Sequence, residues 1–415
     1  MLKTNLIRLF LGVVLGLGFV VSTAEADVFF QCPTTPGGSY TDTNGDGILR
    51  ADEGEIINPV RGNSQVCIHL TGGDGFVNMA DKQLDPDGDG NGHLQYMFGF
   101  SNVTGLPDNE VMEAGMLNAT WPAPTIQVKQ GDDVYLSLTN VGMMMRPDLF
   151  DPHTVHWHGF PNASAVFDGL PDSAVSINMG ATLTYYYKVV EPGTFMYHCH
   201  VEATEHMQMG MLGNLYVTPA QDGTDINGYT KFAYNDGDGS TAYDVDVAMQ
   251  IGAFDPNFHD EHIAVQPLPF AFMDDLYPML NGRGYPDTIN SADLTNSFDG
   301  RASQKIDTII TAAQGQRILL RLSSLSTTSY HTLTIQGIPM LVVGQGARKL
   351  GPQEDSSQYY KTNSVTLGGG EAREVILDTT NVEPGTYFLY TTNLDHLANH
   401  NEDYGGMMTE IVINP

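Results

Sequence analysis

Between Asp151 and Met211 the chain carries two short blocks of metal-binding residue types. The first is His153-Thr154-Val155-His156-Trp157-His158-Gly159; the second is His198-Cys199-His200, followed by His206 and Met211. Side chains alternate between the two faces of a strand, so the spacing itself assigns roles. Cys199 faces away from His198 and His200. His156 and His158 share a face, and His153, at an odd offset from both, can point away from them. One side thus collects Cys199, His153, His206 and Met211. One thiolate, two imidazoles and a weak thioether are the ligand list of a blue-copper electron-transfer centre. The other side collects His156, His158, His198 and His200, four imidazoles without a thiolate, a set suited to copper ions that bind oxygen species. Cys199, flanked by both histidines, would wire one site to the other.

The two blocks resemble those of the multicopper oxidases, with "HTVHWHG" matching the first histidine block of that family and "YHCHVEATEHMQMGM" its cysteine block. His206 lies seven residues after Cys199, a longer loop than the usual five, whereas the step from His206 to Met211 keeps the family's five. The resemblance also gives Asp168, in "VFDGLPDS", a catalytic role: orienting water near a histidine-bound copper and relaying protons. A solvated turn aspartate is the alternative. Met143, Met144, Met145, Met207 and Met209 cluster beside the ligands, either as a docking patch for cuprous ion or as core filling.

Elements that could position such sites are strands. From about Val66 onward, short β-branched and aromatic runs are punctuated by Gly, Pro and Asn. "TIQVKQGDDVYLSLTN" alternates apolar and polar residues as half-buried strands do. The pattern then returns: "REVILDTTNVEPGTYFLYTT" mirrors "YYYKVVEPGTFMYHCH", and both halves share a Glu-Pro-Gly-Thr turn, at Glu191 to Thr194 and Glu383 to Thr386. An internal repeat of this kind predicts two β-sandwich domains. The expected class is all-β: two cupredoxin-like Greek-key sandwiches, 65–220 and 239–415, joined by a polar linker at 221–238 and preceded by a calcium-loop extension at 27–64.

That extension contains Asp42-Thr43-Asn44-Gly45-Asp46-Gly47-Ile48-Leu49-Arg50-Ala51-Asp52-Glu53. Asp42, Asn44 and Asp46 take the first, third and fifth positions of a twelve-residue calcium loop. Gly47 makes the turn, Ile48 offers its carbonyl, and Glu53 closes the site. An unoccupied acidic turn is the alternative. Asp85, Asp87 and Asp89 begin a second such run, which ends in Tyr96 where the closing glutamate belongs. Asp236-Gly237-Asp238-Gly239 reads as a plain turn.

Residues 1–26 read as a secretory signal: Lys3 and Arg8, an apolar run from Leu9 to Val21, and small residues at Ala24 and Ala26. The run is too short to cross a bilayer comfortably. A periplasmic or secreted protein with no membrane insertion after cleavage is therefore expected. With Cys199 assigned to copper, Cys32 and Cys67 are left as a disulfide pair for an oxidising compartment, or as two unrelated thiols. A net charge of −31, from 49 acidic against 18 basic residues, repels phosphate backbones and excludes nucleic acid as a partner.

The second half departs from the family pattern. Aligned on the repeats, His331 stands opposite His153, but Thr334 and Gln336 stand opposite His156 and His158, and Tyr390, Thr391 and Thr392 opposite His198, Cys199 and His200. Full oxidases of the family draw a three-copper cluster from two domains, and here one of them lacks its paired histidines. His396 and His400, four apart and on one face if helical, are with His331 the candidates to complete an interface copper. Two-domain members share such a copper across a homotrimer. The resemblance implies a copper-dependent oxidoreductase that takes electrons from a small molecule or protein and reduces dioxygen. Nitrite is the alternative acceptor, although His156 stands where nitrite reductases carry an aspartate. A non-catalytic blue-copper carrier is the reading from another class.

Overall fold

The computed structural model describes residues 28, 31–32, 48–49, 56–58, 63–80, 92–161, 164–400 and 402–415. The signal segment, the calcium positions Asp42, Asn44, Asp46 and Glu53, and the run Asp85, Asp87 and Asp89 lie outside these residues. Ile48 is described by its backbone alone, paired in parallel with Thr125.

Strands up to Thr218 form two sheets. One runs Ile48–Leu49, Ala123–Lys129, Leu212–Thr218, Gly193–His198, His156–His158 in spatial order; the other runs Ile56–Asn58, Asn63–Asn78, Asp133–Gly142, Thr182–Lys188, with Leu94–Asn102 also paired to Asn63–Asn78. Alternation decides what lies between them. Val66, Ile68 and Leu70 meet Ile126, Val128, Leu136 and Leu138 in a core that also takes in Trp157, Tyr185, Tyr187, Tyr197 and Cys199. The thiol is therefore part of the packed interior, where side chains have one arrangement to adopt. Cys32 and Cys67 are joined in a disulfide across 5.8 Å between Cα atoms, which ties the start of the described chain to the strand Asn63–Asn78.

The second half repeats four strands of the first of these sheets in the same order. In the first half Ala123–Lys129 pairs in parallel with Leu212–Thr218, which pairs antiparallel with Gly193–His198 and then His156–His158. In the second, Ile310–Ala313 pairs in parallel with Met408–Asn414, then antiparallel with Gly385–Thr391 and His331–Ile335. Register agrees too: His156 faces His198, and Thr334 faces Tyr390. A second core fills this sandwich, from Met249 and Ile251 to Ile411 and Ile413.

Two features draw the halves together. Trp121, Met196 and Leu212 from the first pack with Phe254, Met279, Leu325 and Ala372 from the second. The helix Pro256–Ile263, capped by the Asp255 carboxylate, lies on the strand Leu94–Asn102. The segment 221–238, polar in sequence, is not a loose connector. Phe232 and Ala233 are buried, and Tyr234 packs with Leu319, Val343 and Ile376. Asp236 spends its carboxylate on Gln221, Gly239 and Thr241, which makes its Gly-rich surroundings a turn.

Candidate metal centre

Cys199 follows the end of the strand Gly193–His198, and its amide donates to the Met211 carbonyl at 3.1 Å. The residues between them form the helix Ala203–Met209, ended by Gly210 at φ 116°, whose N–H reaches back to the His206 carbonyl. The longer interval from Cys199 to His206 is thus taken up by helical turns, which bring His206 Nδ1 to 3.1 Å from Cys199 Sγ. His153 reaches the same place from a two-way backbone bridge with Ile177. Its ring centroid lies 5.3 Å from that of His206. His153, Cys199 and His206 are all fully buried, with ligand atoms within 4.8 Å of one another. Met211 is equally buried.

Whether copper fits can be judged from the polar atoms. Both ring nitrogens of His153 are buried with no hydrogen-bonding partner, a costly state unless a ligand satisfies one of them. Burial alone would push the Cys199 thiol up, but the positive potential of His206 and His153 outweighs it and brings it down to about 5. A thiolate is therefore available as ligand. Burial would lower His206, yet the Cys199 thiolate and the Asp151 carboxylate, 3.1 Å from Nε2, hold it well above its ordinary value. Metal binding would displace that proton, with Asp151 fixing the ring from behind. The donor set fits a soft, thiolate-bound copper.

Three parts of this site carried no signal in the sequence. Asp151 is one. Thr154, whose amide points at Cys199 Sγ from 3.4 Å, is another. The third is Gly72, on the strand Asn63–Asn78: a β-carbon there would stand 3.0 Å from the His153 ring and 3.3 Å from the Met211 methyl. An aspartate more than fifty residues before the helical His206 and a glycine in a remote strand look ordinary until folding brings them to the site.

On the opposite face four imidazoles gather as their spacing predicts. Ring centroids of His156 lie 5.2 Å from His198 and 5.1 Å from His200, and His158 Nδ1 lies 3.3 Å from His198 Nε2. Their outer nitrogens are anchored. His198 Nδ1 donates to the Cys199 carbonyl at 2.8 Å and His156 Nδ1 to that of Asp168 at 2.5 Å. The Asp168 carboxylate stands 3.5 Å from the same nitrogen. Asp168 thus steadies His156 from outside the cavity and is a positioning residue in this arrangement. The four rings border a cavity of about 440 Å³, with Met207 beside them. Met143 and Met209 are core residues, and Met144 is exposed.

The far wall of that cavity comes from the second half, by Leu325 to Tyr330 with Gly369 and Gly370. Gly370 comes so close that a β-carbon there would stand 2.8 Å from His158 Nε2. No imidazole of the second half lines this wall among the described residues. Within one chain, then, His331, His396 and His400 do not reach the four-histidine cavity, and an interface copper using them would have to draw them from a second copy. His396 lies in the 3-10 turn Leu394–Leu397 and packs on His331; His400, at φ 46° beyond that turn, lies beside Tyr277. The turn ends before His400, so the two histidines do not share a helical face.

Burial lowers the His69 imidazole to about 4, His198 to about 3 and His331 to about 4. Each group binds fewer protons folded than unfolded between its folded value and roughly 6.5. Stability must then rise with pH across that window, since the unfolded chain holds the extra protons. The copper-free protein is expected to melt at progressively lower temperature as pH falls from about 6.5 toward 4. A flat melting temperature over that range in calorimetry would contradict neutral burial of these rings.

Comparison with known proteins agrees with this geometry. Multicopper oxidase family profiles match residues 101–222 and 193–408. Laccase-2 of Botryotinia fuckeliana is 25% identical over 287 residues, 68% of this chain and 43% of that protein. An L-ascorbate oxidase of Cucurbita pepo var. melopepo is 34% identical over 134 residues, 31% of this chain and 21% of that protein. The chain spans less than half the length of these curated relatives. Among solved structures, the blue copper oxidase of Nitrosomonas europaea superposes with a TM-score of 0.61 at 23% identity, covering 84% of this chain and 86% of that one, a likeness of fold. Profile matches across more than half the residues, over a repeated sandwich that holds a buried Cys-His-His set back to back with four imidazoles, show that the chain belongs to the multicopper oxidase family.

Proposed function

We propose that this protein is an exported copper-dependent oxidoreductase that accepts electrons at the Cys199 site and delivers them to dioxygen at the four-histidine face. The carrying observation is covalent. Cys199 Sγ belongs to one buried cluster while the adjoining His198 and His200 belong to the other, so three consecutive residues connect both sites. Bound copper would supply the one-electron redox chemistry and the dioxygen reduction that these side chains cannot perform themselves.

The residues have separable tasks. Cys199 offers a thiolate at neutral pH, and the His198 ring donates to the Cys199 carbonyl, which fixes the relative orientation of the two sites. Asp151 and Asp168 hold His206 and His156 by their outer nitrogens and so fix the tautomers available to a metal. The core around Cys199 excludes water, and the cavity beside His156 and His158 has room for a small acceptor. Dioxygen is favoured over nitrite because His156 and His200 both border that cavity, giving it four imidazoles. Calcium in the loop Asp42 to Glu53, cleavage of the signal segment and periplasmic or secreted location belong to the same reading and rest on sequence spacing. A homotrimer, implied by the family resemblance, would assemble subunits whose four-histidine face is already covered by their own second half.

The test is a copper count on purified protein with uptake assays for dioxygen and for nitrite under an electron donor. More than one copper per chain with dioxygen consumption is expected. A single copper with neither acceptor consumed would overturn the enzyme reading in favour of an electron carrier.

A further inference from the structure

The second half preserves the ligand positions of the Cys199 site except the thiol. Register sets the equivalence, since His156 faces His198 as Thr334 faces Tyr390. Three residues before the first of each pair stand His153 and His331; one after the second stand Cys199 and Thr391. The loop bonds repeat as well. Cys199 and Thr391 donate their amides to the carbonyls of Met211 and Met407, each at 3.1 Å, and both methionine amides donate at 2.8 Å to the carbonyls of His206 and His396. The two histidine rings are 5.3 Å apart in the first half and 5.4 Å in the second.

A decayed site would be expected to fill with apolar side chains or to satisfy its own polar atoms. This one has done neither. Nδ1 of His331 and Nδ1 of His396 are both buried without a hydrogen-bonding partner, and Thr391 and Met407 are fully buried beside them. Unmet polar atoms at such depth are unfavourable and call for a ligand. The other nitrogen of His331 is held: Nε2 lies 3.0 Å from Ser326 Oγ, which donates to the Asp275 carboxylate at 3.3 Å. A carboxylate behind the ring, with the inner nitrogen left free, is how metal-binding histidines are oriented.

We propose that His331, His396 and Met407 form a second, thiolate-free site that binds one cuprous ion. All three ligands are neutral, the thioether is soft and the imidazoles borderline, and a neutral low-coordinate set with a soft member favours the monovalent ion. Replacement of the thiolate by Thr391 removes the anionic ligand that would favour cupric ion and give colour. Asp275, buried with one oxygen unpartnered, supplies nearby negative charge. None of these three residues lines the four-histidine cavity, although Ser326, which holds His331, does, and cuprous binding there does not depend on the proposed reaction.

The experiment is anaerobic titration of the full, copper-stripped chain with cuprous ion against a chromophoric cuprous chelator. Wild type is expected to take up one equivalent more than His331→Ala/His396→Ala, with the blue absorption of the Cys199 site equal in both after reoxidation. Met407→Leu keeps the side-chain volume and guards against a folding artefact; it is expected to lose the same equivalent. Rebuilding the thiol gives a second measurement: Cys199→Ser/Thr391→Cys should turn blue when loaded with cupric ion. Equal cuprous stoichiometry in wild type and Met407→Leu, or a folded but colourless Cys199→Ser/Thr391→Cys protein, would overturn the site.

Discussion

Cys199→Ser is expected to yield a folded, colourless protein with no measurable acceptor reduction. Its colour depends on charge transfer from a thiolate to cupric ion, and serine supplies no thiolate. The fold should survive because the exchange is nearly isosteric and the new hydroxyl has neighbours. The Thr154 amide points at this position from 3.4 Å and the Val201 carbonyl lies 3.8 Å from it. A poorly satisfied buried hydroxyl costs about 1–3 kcal/mol, and these neighbours place the loss toward the lower end. Visible absorption, copper content and thermal melting on one sample check all of it. A variant that stays as blue as wild type would sink the ligand assignment and, with it, the electron entry point.

The second large effect separates the two sites. His156→Ala/His158→Ala should keep the blue absorption and lose dioxygen reduction, to below about one-thousandth of wild type, the scale expected when residues that act as a unit are removed. These two histidines are the right pair because their rings bond to Asp168 and His198 and neither hydrogen-bonds Cys199. His198 would be a poor choice, since its ring donates to the Cys199 carbonyl, and its loss would disturb both sites at once. Copper content should fall while the Cys199 site still accepts an electron from a chemical reductant, seen as bleaching. If the double variant still consumes dioxygen at the wild-type rate, the four-histidine face is not where the acceptor is reduced.

Much of the candidate site was legible in the sequence because strands obey a period of two. The offset between His153 and His156, and the order His198-Cys199-His200, sorted ligands onto two faces before any fold was known. The ladder His156 to His198 then put all four imidazoles on one side. The repeat was legible for the same reason. Alternating strands around shared Glu-Pro-Gly-Thr turns build related sandwiches, and the same four-strand order recurs in one sheet of each half. His396 and His400 show the limit of spacing rules. A four-residue interval predicts a shared face only if the backbone is helical throughout, and here the turn stops at Leu397.

By itself, then, the sequence determined the sandwich architecture, the division of ligands between two faces and the absence of paired histidines in the second half. All of these follow from local periodicity and residue type. Tertiary structure alone decided which distant groups act on those ligands. Asp151 behind His206, Gly72 beneath His153 and Met211, and Gly370 against His158 come from loops, a remote strand and the other half of the chain. It also decided that His396 joins His331 rather than the four-histidine cavity. Local rules carry no information about contacts closed over more than fifty residues, because packing of whole sheets sets them.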